Sequence, residues 1–146
     1  MTIGNDKEFK AALAGLDPAR QRLLAARFVD SVLSLCNDVR VAGAVNAAKR
    51  PDITEVELGA MYLAAKAASV ESYTQCGHET EWATQAGHFV CKAAVNCVKP
   101  ASDNLAWDAA MEARMARTCA GIAGGEGTET REAEAQYRIL DAFLSE

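Results

Sequence analysis

The chain has 146 residues, a formal net charge of −5 and a pI near 5.1, and half of it is hydrophobic. Thirty alanines and five cysteines leave only 38 residues of the large apolar types, which predicts a core built largely from alanine contacts. Alanine loses no side-chain entropy in a helix and there are only three prolines, so strands are disfavoured and one all-α domain over residues 1–146 is expected.

No apolar run approaches the ~18 residues that a membrane span needs, and Met1 to Lys10 is too polar for a secretory signal. The expectation is a cytoplasmic protein with no membrane partner. Charge is uneven: residues 1–50 sum to +3, residues 51–100 to −3 and residues 101–146 to −5. A basic excess of that size, without interleaved aromatics, falls short of the dense Lys/Arg surface a nucleic-acid binder uses to displace counterions. Cys36, Cys76, Cys91, Cys97 and Cys119 are odd in number and irregularly spaced, and read as reduced, small apolar residues.

The predicted elements follow in chain order. Asp6 to Ala14 forms a short helix closed by Gly15, with Phe9 and Leu13 on one face. Asp17-Pro18 reads as an N-cap followed by proline at the first helical position. From there Leu24, Phe28, Val32, Leu35 and Val39 recur at helical spacing, so one stripe runs toward Lys49 before Pro51, with Asn37-Asp38 as a potential break. Thr54 and Glu57 have capping-box spacing and open a third helix to about Gln75, interrupted at Gly77. A fourth helix is expected from about Glu79 to Lys99, carrying Trp82, Ala86, Phe89, Val90, Ala93 and Cys97 inward. Asp103 caps a fifth with a stripe of Trp107, Met111, Met115, Cys119 and Ile122. A sixth from Thr130 to Leu144, after the glycine-rich loop at 124–127, turns Ala133, Tyr137, Leu140 and Leu144 inward. Residues 44–49 (Ala-Val-Asn-Ala-Ala-Lys) are echoed fifty residues later by 94–99 (Ala-Val-Asn-Cys-Val-Lys). Three helical hairpins follow from that echo, either as a compact bundle or as a short HEAT-like stack.

Potential metal ligands cluster between Cys76 and Cys97, but in one helix His78 and His88 stand about 15 Å apart, and only His88 and Cys91 share a face. A complete site would need Cys36 or Cys119 from elsewhere, and neither a metal nor a cofactor is expected. A di-iron bundle requires glutamate three residues before each histidine, where this chain has Gln75 and Gln85. Gly87, ahead of His88, points to a close approach by a neighbouring helix. His88 and Cys91, with Trp82, Tyr62 and Tyr73, are the residues that would line a ligand pocket; Glu126, Glu129, Glu132 and Glu134 are the acids that would face a protein partner. No catalytic constellation is placed by the sequence.

The string Gln85-Ala86-Gly87-His88-Phe89-Val90 resembles the Ala-Gly-His-Ala-Val segment of alanine-rich, all-helical immunity proteins from bacterial polymorphic-toxin neighbourhoods. Leu24-Ala25-Ala26-Arg27-Phe28, Ala64-Ala65-Lys66-Ala67-Ala68 and Tyr137-Arg138-Ile139-Leu140 extend the resemblance over Ala19 to Leu144, with Lys66 and Ala94 standing where that family has histidines. It implies a non-enzymatic cytoplasmic binder that neutralises a toxin by contact, a basic partner suiting the acidic second half. A helical bundle holding a small molecule or metal at His88/Cys91 is the alternative, and self-association through a helix face is a third expectation.

Overall fold

A computed structural model describes the backbone of residues 2–78 and 81–146, and all side chains within these except Gly77 and His78. Among the described residues every regular element is helical: α1 (Asp6–Ala14), α2 (Pro18–Asp30), a 3₁₀ turn (Leu33–Leu35), α3 (Val39–Ala48), α4 (Glu55–His78), α5 (Trp82–Val98), α6 (Leu105–Ala123) and α7 (Glu132–Leu144).

Local capping chemistry sets several of these starts. Asn5 accepts from the Glu8 N–H, and Asp17 from the Arg20 N–H ahead of Pro18. The Thr54 hydroxyl accepts from the Glu57 N–H at 3.1 Å and donates back to the Glu57 carboxylate, a side-chain variant of the capping box. Asp103 does not cap α6, contrary to the sequence expectation. Gln21 of α2 does so from across the bundle: its amide oxygen accepts the Ala106 N–H at 3.3 Å, and its nitrogen donates to the carbonyls of Leu16 and Asp103.

The stripe expected to run unbroken past Leu35 divides into two helices, giving seven in place of six. Leu24, Phe28 and Val32 are fully buried, whereas Val39 is 82% exposed. Ser31 turns its hydroxyl back onto the Phe28 carbonyl at 2.7 Å as α2 ends, and extended Asp38 caps α3 by accepting from the Arg40 N–H at 2.9 Å. These side-chain bonds compete successfully with a continuous helix. Gly77 does not interrupt α4, whose backbone continues to His78; the expected start at Glu79 lies outside the described residues, and α5 begins at Trp82.

Helix α5 is the hub. It packs along α6 and α4 and also meets α3 and α2, more neighbours than a helix in a linear stack would have, and the arrangement is a compact bundle. Small residues dominate what these two helices bury: Ala86, Ala93, Ala94, Cys91 and Cys97 with Val90 and Val98 on α5, and Ala106, Ala109, Ala110, Ala113, Ala116 and Cys119 with Leu105 on α6. The expected inward stripe of α6 is thereby corrected. Met115 is 45% exposed and Trp107, Met111 and Ile122 are only partly buried, because a small-residue face fits the alanine face of α5 better. Helix α7 is also turned, burying Glu132, Gln136, Leu140 and Phe143 and leaving Leu144 exposed. Large side chains gather at the α1 end, where Phe9 lies against the rings of Phe28, Tyr137 and Trp107. The echoed segments 44–49 and 94–99 each close a helix and bury matching positions, 44 with 94, 47 with 97 and 48 with 98.

Candidate functional site

Two features stand apart from the packed interior: a polar groove at the start of α3, and the outer face of α4. The groove, about 480 Å³, runs between the 3₁₀ turn, α4 and α5, and is lined by Cys36, Asp38, Glu71, Ser72, Gln75, Thr84, Gly87, His88 and Cys91 among others. On its α4 side the Ser72 hydroxyl donates to the Ser69 carbonyl at 2.9 Å and lies 2.7 Å from His88 Nδ1. Tyr73 and Phe89 each place a ring 5.7 Å from the imidazole.

Burial, and then the Lys92 ammonium, hold His88 below the usual imidazole range, so it is neutral at pH 7. Between its folded value and the unfolded 6.5 the unfolded chain binds more protons, so this histidine adds stability that is lost as pH falls below about 6.5. The urea midpoint is expected to drop between pH 7 and pH 5 and to drop less in His88→Gln. Equal drops in the two proteins would contradict this.

Gly87 makes room for a turn and not for a helix as the sequence suggests: a Cβ there would meet the Leu35 carbonyl oxygen at 3.3 Å. Gly87→Val should push the 3₁₀ turn outward and destabilise by about 1–3 kcal/mol through overpacking, read as a lower denaturation midpoint. The same turn delivers Cys36, whose sulfur lies 3.9 Å from that of Cys91. The Cys91 thiol, aided by the backbone N–H groups of Asp38 and Asn37, draws Cys36 well below the ordinary thiol range against the opposing effect of burial. Cys91 is correspondingly pushed up, by its bond to Cys36 and by burial. Beside them Arg40 spans from the α3 cap to α4, pairing with Asp38 at 2.7 Å and Glu71 at 2.6 Å.

Of the five residues expected to line a pocket, His88 and Cys91 share this groove and Tyr73 borders it through His88. Trp82 is 44% exposed and lies off the groove; Tyr62 lines a separate depression with Arg22, Leu58 and Val98. Ser72, Asp38 and Glu71 were not foreseeable as its partners, since they arrive through tertiary packing. No group of three or more His, Cys, Asp or Glu side chains is placed to hold a metal among the described residues, and the side chain of His78 lies outside these.

The acidic partner face needs one correction. Glu126, Glu129 and Glu134 are exposed, but Glu132 is buried, accepting from the Ser31 hydroxyl at 2.6 Å and from Arg117 Nε at 3.2 Å. Arg117 also donates to the Ser31 carbonyl at 2.6 Å, so Glu132 ties α7 to α2 and α6. The exposed acids are interleaved with Arg131 and Arg138, and the surface is of mixed sign.

Helix α4 carries the larger surprise. A bundle helix ordinarily has one apolar stripe; α4 has two. Its inner face contributes Ala65 and Ala68 to the core, with Leu58, Met61 and Tyr62 packed against it. On the outer face Val56 is 84% exposed, Leu63 70% and Val70 56%, with exposed Ala60, Ala67 and Thr74 between them. The spacing of these six alternates four and three, the seam of a coiled coil, with a large residue followed each time by a small one. That alternation stands in the sequence and could have been read there.

No family model matches the chain, and no curated protein or solved structure matches it. Among the described residues no helix is long and apolar enough to cross a membrane.

Proposed function

We propose that this protein is a cytoplasmic protein-interaction module that works as a homodimer, two copies pairing antiparallel through the outer face of α4. The exposed ladder of Val56, Ala60, Leu63, Ala67, Val70 and Thr74 carries the reading. When the two-fold axis passes at the level of Ala65, Val56 meets Thr74, Ala60 meets Val70 and Leu63 meets Ala67 of the second copy. Each large side chain then faces a small one, the size complementarity that knobs-into-holes packing rewards. Glu57 and Glu71, on one flank, are already paired with Arg50 and Arg40 of their own chain, and the opposite flank brings the two Lys66 ammoniums together at a modest cost in like charge.

The immunity-type role implied by the sequence resemblance fits within this reading. Glu126, Glu129 and Glu134 lie on and beside the α6–α7 connection and are exposed, open to a basic partner such as a toxin neutralised by contact. A second reading, small-molecule binding beside His88 and Cys91, draws on the convergence of Ser72, His88 and Gln75 in the groove. It is the weaker of the two because ligand sites are generally enclosed and mostly apolar, and this groove is open with a mixed polar and apolar lining. Light scattering across a dilution series should give about twice the 15.5 kDa chain mass, falling to the single-chain value on dilution. A single-chain mass at every concentration would refute the dimer.

A further inference from the structure

We propose that Cys36 and Cys91 form a two-cysteine site that reduces a small hydroperoxide and closes to a reversible disulfide. The two sulfurs lie 3.9 Å apart on different elements, Cys36 on the loop that follows the 3₁₀ turn and Cys91 on the hub helix α5. Both line the open groove and Cys36 is partly exposed there, so a peroxide reaches its sulfur without any unfolding. Their exposures divide the labour: Cys36 is partly exposed and Cys91 is 2% exposed. An accessible sulfur that meets the oxidant, backed by a sheltered thiol that resolves it, is the arrangement a peroxide-reactive pair requires.

The lowered thiol of Cys36 supports the same assignment, because the thiolate is the nucleophile. It attacks the terminal oxygen of the hydroperoxide; an S–O bond forms, the O–O bond breaks, and the departing alkoxide or hydroxide takes up a proton from solvent. The peroxide is reduced by two electrons and Cys36 becomes a sulfenic acid. The Cys91 thiol then attacks the Cys36 sulfur; the S–S bond forms, the S–O bond breaks, and water leaves with the Cys91 proton. Contraction of the sulfur separation to about 2 Å is needed for this step. The loop side carries that movement, since Cys36 lies outside any helix while Cys91 is fixed in α5. An external dithiol returns the pair to the reduced state by exchange.

Cys97 and Cys119 are poor rivals for this chemistry. Cys97 is fully buried, with its thiol pushed up to about 12 by desolvation, and burial also raises Cys119. The described sulfur contact of Cys97 is with the Ala93 carbonyl at 3.5 Å, and Cys119 is raised further by the nearby Cys76.

The test treats the reduced, full-length protein with stoichiometric hydrogen peroxide, blocks remaining thiols with a maleimide, and reads intact mass and peptide maps. Expected are the loss of two hydrogens, three blocked cysteines in place of five, a Cys36–Cys91 linked peptide, and full reversal by dithiothreitol. In Cys91→Ala the reaction should halt at a Cys36 sulfenic acid that dimedone traps. In Cys36→Ser peroxide consumption should slow at least about tenfold. Helical circular dichroism verifies that both variants are folded, and the linked peptide from the unmodified chain stands independently of them. A disulfide between any other pair, no disulfide, or undiminished consumption in folded Cys36→Ser would overturn the proposal.

Discussion

Glu132→Lys is expected to destabilise the protein by about 3–5 kcal/mol, because an ammonium without a counter-ion would replace a buried carboxylate beside the part-exposed Arg117. Glu132 is 5% exposed, and its two carboxylate oxygens are taken by the Ser31 hydroxyl and Arg117. A lysine would confront Arg117 with a second cation and leave the Ser31 hydroxyl with the Phe28 carbonyl as its described partner. Three helices meet at this carboxylate, so the damage does not stay local. Against a typical total of about 5–15 kcal/mol, the variant should be largely unfolded in low urea. Glu134→Lys, two residues on and exposed, should change stability by less than about 0.5 kcal/mol. Urea denaturation of the two variants checks the contrast. Similar midpoints would show that Glu132 is not the tie described, and a pull-down that reverses Glu132 would report folding, not partner choice.

The second large effect concerns association. Leu63→Glu is expected to weaken the dimer by at least about 100-fold, because a two-fold axis counts the change twice and each buried leucine contributes about 1.5–3 kcal/mol. Two carboxylates brought into an apolar seam add a desolvation penalty to the lost contact. Folding of the single chain should be unchanged, since Leu63 is 70% exposed within it. Val39→Glu is the matched control: Val39 is 82% exposed but lies on α3, outside the α4 ladder. Sedimentation velocity should show Leu63→Glu as a single chain at concentrations where Val39→Glu stays dimeric. A shared sedimentation coefficient for the two would remove the special role of α4.

Much of this was legible in the sequence where the physics is local. The start of α1, Asp17-Pro18 and Thr54 are set within three or four residues by their own side chains, and those boundaries read correctly. The α2–α3 division was not legible as periodicity, because Leu35 and Val39 keep helical spacing through a segment where Ser31 and Asp38 end one helix and begin the next. The inner face of α6 was obscured for a different reason. Its large residues mark a plausible stripe, and only the alanine face of α5 decides that the small ones go inward. The groove shows the same limit. His88 and Cys91 are visible as neighbours on one helix, but Ser72 and Cys36 come to them from 16 and 55 residues away. Glu132 looked like a surface charge until Arg117 and Ser31 were placed around it.

Self-pairing of α4 is most directly tested through Lys66, the charged residue flanking the seam. In the antiparallel arrangement centred at Ala65 the two Lys66 residues lie on the same flank, separated by about 3 Å along the axis and by the 8–10 Å between helices. Equal amounts of unlabelled and ¹⁵N-labelled protein, mixed and treated with a lysine-specific crosslinker of about that span, should yield a Lys66–Lys66 peptide pair joining labelled to unlabelled chains. Intermolecular links confined to Lys7, Lys10 or Lys49, or none at all, would contradict the account.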